Sequence, residues 1–252
     1  MILKFICCDV FARIACDLVS KSAHIIDLEF VPMLAHNEPE KLKNMLSGII
    51  DKSVKGSGRV YDAVLLGYGL CGNSVTGLSC TVPMIIPRAH DCCTIFMGGR
   101  EKFFGAFGDI LSARWSSTGY YERCHLFNYN QNRRDGAENQ LALYNTTAEY
   151  MDYVEKYGED NADYIWAAMH PEIETDEAVY IKIDGYEYSD SYENYSTEIK
   201  NAGKKLKTVE GDISLLKALI DGDWDDDRFL VVPPGKKITG VYDMQYVMEA
   251  RD

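Results

Sequence analysis

Four short stretches of this chain place thiols and imidazoles where a parallel sheet presents side chains to a ligand. They are Cys7-Cys8, His36 in Ala35-His-Asn-Glu-Pro39, Tyr68 and Cys71 in Gly67-Tyr-Gly-Leu-Cys-Gly-Asn73, and Arg88, His90, Cys92 and Cys93 in Pro87-Arg-Ala-His-Asp-Cys-Cys93. Thiolate is the soft ligand that zinc, iron and iron–sulfur clusters prefer, and imidazole completes a mixed set. Cys8, Cys71 and Cys92 are the candidate ligands, with His90 or His36 as a further ligand or as a base. Arg88 would orient an anionic group, and Tyr68 would donate a hydrogen bond. No Cys-x-x-Cys pair is present, so the ligands would come from separate loops, as in catalytic or cluster-holding sites. Three protein ligands leave a position open for substrate.

Each of these residues also has a bland reading. Cys7 lies inside an apolar run and reads as core, whereas Cys71 sits among glycines where a tight turn frees the side chain to point outward. Of Cys92 and Cys93, one reads as core and the other as facing the site. Cys16, Cys80 and Cys124 read as small core or surface residues. His90 could merely cap the following helix, for which Asp91 is a natural N-cap, and Arg88 could pair with an acidic neighbour. A metal-free alternative makes Cys71 or Cys92 a nucleophile activated by His90. Gly98-Gly99-Arg100 is too short for a phosphate loop. The tyrosine-rich acidic stretch Tyr180 to Tyr195 reads as a solvated face, and Asp223 to Asp227 lacks the glycine and glutamate of a calcium loop.

The elements that must position these groups follow from hydrophobic periodicity. Ile2–Cys7, Ile25–Met33, Tyr61–Gly67 and Thr81–Pro87 read as strands, and Val10–Ser20, Glu38 to about Val54 and Thr94–Phe107 as helices. Pro39 stands near the first turn of the second helix. The later chain repeats the style, with helical pattern in Asn139–Met169, a strand at Ala178–Ile183, a helix over Tyr192–Leu206, a strand at Leu206–Glu210, a helix over Ile213–Gly222 and a strand at Phe229–Val232. Alternating strands and helices predict an α/β fold of two Rossmann-like lobes with mainly parallel sheets. The expected division is a Cys/His-rich lobe over 1–127, a polar linker over 128–136 and an acidic lobe over 137–252. Open sheets of this kind bind ligands beyond the carboxyl ends of their strands.

Charge and thiols are divided the same way. Of 252 residues, 1–125 hold 13 basic and 12 acidic side chains, and 126–252 hold 13 and 27. The total is −13, and all eight cysteines lie at or before Cys124. Without a basic stripe, nucleic acid and anionic membranes are poor partners. No apolar run reaches the roughly 18 residues of a membrane span, and Asp9 interrupts the start too soon for a signal peptide. A cytoplasmic protein with reduced thiols is therefore expected.

Leu66-Gly-Tyr-Gly-Leu-Cys-Gly72, Ile86-Pro-Arg-Ala-His-Asp-Cys92 and Gly99-Arg100 resemble an uncharacterised prokaryotic family, a domain of unknown function. Its members are common in methanogens and strict anaerobes and often encoded near corrinoid-dependent methyltransferases. The likeness extends to Cys8, His36-Asn-x-Pro39, Lys156 to Ala162 and Phe229 to Gly235. It implies a bilobal α/β protein with a shared site around Cys8, Cys71, His90 and Cys92, but no reaction. Thr118 to Cys124 departs from the family's Pro-Gly-Trp ending, which implies a different substrate if that stretch lines the pocket. The expectation is a metal-binding enzyme acting on a small molecule, in anaerobic one-carbon or methyl-transfer metabolism. The alternative is a non-catalytic protein that delivers a metal, cluster or corrinoid to a corrinoid or methyltransferase partner, with the acidic half guiding docking.

Overall fold

The computed structural model describes residues 1–33, 35, 38–56, 58–108, 113–127, 176–241 and 246–252. His36, the 128–136 linker and the helical pattern of 139–169 lie outside them. In chain order, β1 (Ile2–Cys8) leads through a single 3-10 turn into α1 (Ala12–Lys21), then β2 (Ile25–Val31), α2 (Pro39–Asp51), β3 (Ala63–Gly67) and β4 (Met84–Pro87). Next come α3 (Cys92–Phe96), α4 (Arg100–Phe107), β5 (Arg114–Ser117) and α5 (Thr118–Tyr121). After the undescribed stretch follow β6 (Glu177–Lys182), α6 (Ser191–Asn201), β7 (Lys205–Glu210), α7 (Ser214–Asp221), β8 (Phe229–Val232), β9 (Lys237–Gly240) and β10 (Met248–Arg251).

The fold is mixed α/β with two mainly parallel sheets. The first has strand order β2-β1-β3-β4-β8, parallel except for the antiparallel pair β4–β8. The second is β5-β6-β7, all parallel. A separate antiparallel hairpin joins β9 to β10. The chain leaves β1 toward β2 and then returns past it to β3, so the switch of strand order falls between β1 and β3. A ligand crevice is expected at that point in an open α/β sheet.

Local chemistry accounts for the elements. β1, β3 and β4 are buried almost throughout, as continuous apolar runs in a covered parallel sheet should be. The polar exception is Lys4, which is buried and pairs with Glu29 on β2 at 2.7 Å. α1 buries Ile14, Ala15 and Leu18, and α2 buries Leu42, Leu46 and Ile50 at i, i+4 spacing behind Pro39 in its first turn.

Two features depart from the periodicity. The helix expected over Thr94–Phe107 is two helices, because Gly98 (φ 77°) and Gly99 (φ 132°) adopt left-handed backbone between them. The sheets also exchange strands across the 128–136 segment, with β5 from before it joining the second sheet and β8 from after it completing the first. Arg88 holds β8 and the hairpin in place. Its Nε donates to the carbonyls of Asp226 (2.8 Å) and Phe229 (3.2 Å), and its Nη1 to those of Tyr246 (2.8 Å) and Met248 (2.5 Å). Hydrogen bonds from charged groups contribute about 1.5–3 kcal/mol each when partly buried. Replacing Arg88 by Gln is therefore expected to cost about 2–4 kcal/mol, read as a lower urea midpoint with an unchanged m-value.

Candidate functional site

The site forms where β1 and β3 end. Cys7 and Cys8 point to opposite faces of β1, as successive strand residues must. Cys7 is fully buried and its Sγ donates weakly to the Gly67 carbonyl at 3.9 Å, so it is core. Cys8 lies at the carboxyl end of β1. The loop after β3 is fastened to the loop after β4 by two main-chain hydrogen bonds, Leu70 N–H to Ala89 O at 2.8 Å and Cys71 N–H to His90 O at 2.9 Å. Gly69 makes this possible, since a Cβ there would stand 2.6 Å from the Asp91 nitrogen and 2.8 Å from the Ala89 oxygen.

Within the loop, Cys71 (φ 46°) and Asn73 (φ 70°) adopt left-handed backbone without being glycine. Such residues cost roughly 1–3 kcal/mol each and cluster at functional sites. The Ser74 hydroxyl holds the turn by donating to the Cys71 carbonyl at 2.6 Å. Asp91 caps α3, accepting from the Thr94 N–H and hydroxyl, both at 2.9 Å. That cap places Cys92 at the first helical position, half-buried, while Cys93 turns into the core.

These elements bring Cys8, Cys71 and Cys92 within electrostatic reach of one another. Burial pushes the Cys8 thiol far up, and Cys71 and Asp9 add to this against the Val10 N–H and Arg123. Burial and then Asp91 push Cys71 up to about 12. Cys92 is raised by burial first, then by Asp91, Cys8 and Cys71. All three are therefore neutral thiols at pH 7. Two buried polar atoms of the same loops, the Tyr68 hydroxyl and His90 Nε2, have no hydrogen-bond partner among the described residues. Tyr68 is 3 % exposed, and its hydroxyl is raised by burial and then by Cys8, Cys7, Cys71 and Asp9, which places it among the thiols. Leaving such groups unsatisfied costs about 1–3 kcal/mol apiece.

The second sheet closes the site from the other side. Gly119 in α5 packs so closely on the 3-10 turn after β1 that a Cβ would lie 2.1 Å from the Val10 carbonyl oxygen. Tyr120 follows, its ring tilted at 52° against Trp115 with centroids 4.6 Å apart. Its hydroxyl is raised by burial and then by Cys92, Cys124 and Cys8. Asp9 accepts from the Met33 N–H at 2.8 Å and lies 3.9 Å from Arg123, and burial raises its carboxyl. Residue types alone did not single out Asp9, Tyr120 or Arg123. The available signals were Asp9 directly after Cys8 and the divergent Thr118–Cys124 stretch.

Arg88, expected to orient an anion, instead spends its N–H groups on the four carbonyls described above. His90 supplies its carbonyl to Cys71 and does not cap α3. Among the described residues, no three His, Cys, Asp or Glu side chains already stand as a metal-ligand set. The residue types are nevertheless ones a thiophilic ion takes, thiols that it binds as thiolates on loss of their protons and a neutral imidazole nitrogen.

The fold is a two-sheet α/β protein in which Cys8, Cys71 and Cys92 lie near the switch point of the larger sheet. The chain belongs to the family described as "Protein of unknown function (DUF1638)", whose model matches residues 30–220. No curated protein and no solved structure matches it. No described helix is long and apolar enough to cross a membrane.

Two outcomes are expected from this geometry. Because folding raises these thiols, the unfolded chain loses its thiol protons first as pH rises past about 8.5. Their contribution is intact below that pH and declines above it, by up to about 1.4 kcal/mol per pH unit for each buried thiol. Urea midpoints measured from neutral to alkaline pH should fall, and Cys8→Ala should flatten the fall. Separately, Gly119→Ala should destabilise the fold by about 1–3 kcal/mol through overpacking against Val10 and make Cys8 more reactive to iodoacetamide.

Proposed function

We propose that the protein is a metal-binding enzyme that acts on a small molecule in the crevice between β1 and β3. The observation that carries this reading is that Cys8, Cys71 and Cys92, which follow three separate strands, lie within electrostatic reach of one another, with the buried Tyr68 hydroxyl near Cys8 and Cys71 and without a hydrogen-bond partner among the described residues. Cys8, Cys71 and Cys92 are the ligands, and His90 is a fourth ligand or a base. His36, outside the described residues, is a further ligand or base by sequence alone. The group held is zinc or iron, singly or as an iron–sulfur cluster, and when bound it supplies Lewis acidity or electron transfer at an open position.

The chain's own residues do the rest. The Tyr68 hydroxyl donates a hydrogen bond to the bound molecule. Tyr120 and Trp115 wall off water on the side of the second sheet. Asp9 and Arg123 set the polarity of the crevice beside Cys8. The setting we propose is the cytoplasm of an anaerobe, in one-carbon or methyl-transfer metabolism, and this rests on the sequence resemblance alone.

A second reading is delivery of a metal, cluster or corrinoid to a methyltransferase partner. It is favoured by the concentration of acidic residues in 126–252, which would steer docking. Co-purification at low salt that is lost at high salt, without turnover, would select it.

The test is metal analysis of protein purified without oxygen. About one equivalent or more of zinc or iron per chain is expected, falling well below that in a Cys71→Ala/Cys92→Ala variant. Metal far below one equivalent, unchanged by the double substitution, overturns the proposal. In metal-free protein the three thiols should alkylate far more slowly than exposed Cys16.

A further inference from the structure

β2 is an outer strand of the larger sheet, and among the described residues β1 is its one strand partner. Successive residues of a strand turn their main-chain N–H and C=O groups to opposite edges. The Ile25 N–H donates to the Met1 carbonyl, on the β1 side, at 3.0 Å. Ile25, Asp27, Glu29 and Val31 therefore face β1, and Ile26, Leu28 and Phe30 direct their main-chain groups outward.

Such an outward row is a template for another strand. Proteins guard it with a short strand, a proline, a bulge or uncompensated charge. β2 carries none of these guards. It runs for 7 residues without proline and matches β1 residue for residue from Ile25 to Val31. Its two charges are compensated within the chain. Lys4 lies 2.7 Å from Glu29 and 3.7 Å from Asp27, and Arg59 donates to Asp27 at 2.6 Å. Two carboxylates and two cations leave no net charge to repel an incoming strand. Ile25, at the start of the strand, is 69 % exposed. Ile26, Leu28 and Phe30 share one face and are only partly buried.

We propose that β2 pairs antiparallel with β2 of a second copy of this chain, in a register centred on Leu28, so that two five-stranded sheets become one. The order of residue types along the edge reads alike in both directions, which is what a two-fold interface requires. Leu28 meets the second copy's Leu28, Ile26 meets Phe30, and Ile25 meets Val31. The residues that face outward are the ones this register pairs, so each outward N–H finds a carbonyl. Their apolar side chains become cross-strand neighbours on one face, and the exposed Ile25 gains an apolar partner. On the other face Asp27 stands opposite the second copy's Glu29. Directly opposite side chains lie about 4.5–5.5 Å apart at Cβ, which brings the Arg59 guanidinium held by Asp27 to that Glu29. The pairing uses none of Cys8, Cys71 and Cys92 and does not depend on the metal reading.

The experiment is sedimentation equilibrium of the full chain, together with amide hydrogen exchange resolved to single residues. A species of twice the 28.5 kDa chain mass is expected, dissociating on dilution. The N–H groups of Ile26, Leu28 and Phe30 should exchange roughly tenfold or more faster in the diluted monomer, while those of Asp27 and Glu29, bonded to β1, change little. Leu28→Lys sets two ammonium groups together at the axis and should weaken the dimer by about tenfold or more. Ile25→Lys changes a side chain already in solvent. It should keep the parent's thermal midpoint and weaken the dimer several-fold. Arg59→Glu should also weaken it, less so at high salt. A chain that stays monomeric overturns the proposal. So does a dimer whose Ile26, Leu28 and Phe30 N–H groups exchange as fast as in the monomer, or one that both lysine variants leave unchanged. Protection of these three N–H groups in a monomer overturns it as well, because another segment of the chain would then occupy the edge.

Discussion

The contact on which this site depends is the joining of two loops that follow neighbouring strands. Leu70 and Cys71 donate their main-chain N–H groups to Ala89 and His90, and Gly69 lets the backbones meet without a side chain between them. The two loops are thereby fixed as one surface. Without that join, Cys71 and Cys92 would sit on independently moving segments. With it, they face Cys8 across the switch point, at the cost of two non-glycine residues held in left-handed backbone.

The same join explains the unusual electrostatics. Three thiols, two carboxylates (Asp9 and Asp91) and two tyrosines share a region in which Arg123 is the cation that lowers Cys8 and Asp9. Such a group is tolerable because every thiol and phenol in it is held neutral by burial. Ionising all three thiols would require a compensating positive charge. The three thiols are therefore held protonated at neutral pH, unlike a catalytic cysteine that must be a thiolate beforehand.

Much of this was legible in the sequence, for local reasons. β1, β3, β4 and β8 are short apolar runs, and their burial is what the runs required. Thiols directly after those runs had to emerge at the carboxyl edge once the sheet was parallel. What was not legible depends on distant contacts. β5, Arg-Trp-Ser-Ser, has no alternation and becomes a strand by pairing with β6. The partners of Arg88 lie 138 to 160 residues away. Tyr120 reaches the thiols because Gly119 meets Val10, a pairing that no periodicity encodes. The break between α3 and α4 was visible as Gly98-Gly99, but two glycines within an amphipathic pattern do not by themselves decide between a kink and an end.

The strand exchange between the sheets bears on how the chain is made. The first sheet, with β4 as its margin, waits for β8, which ends at Val232. β5 is likewise synthesised well before β6 and β7, the strands it lines up with. On a ribosome the amino-terminal half therefore emerges with an open sheet margin and an orphan strand, both prone to pairing with other chains. Folding is committed late and as one unit, and separately expressed halves would each lack a strand held by the other.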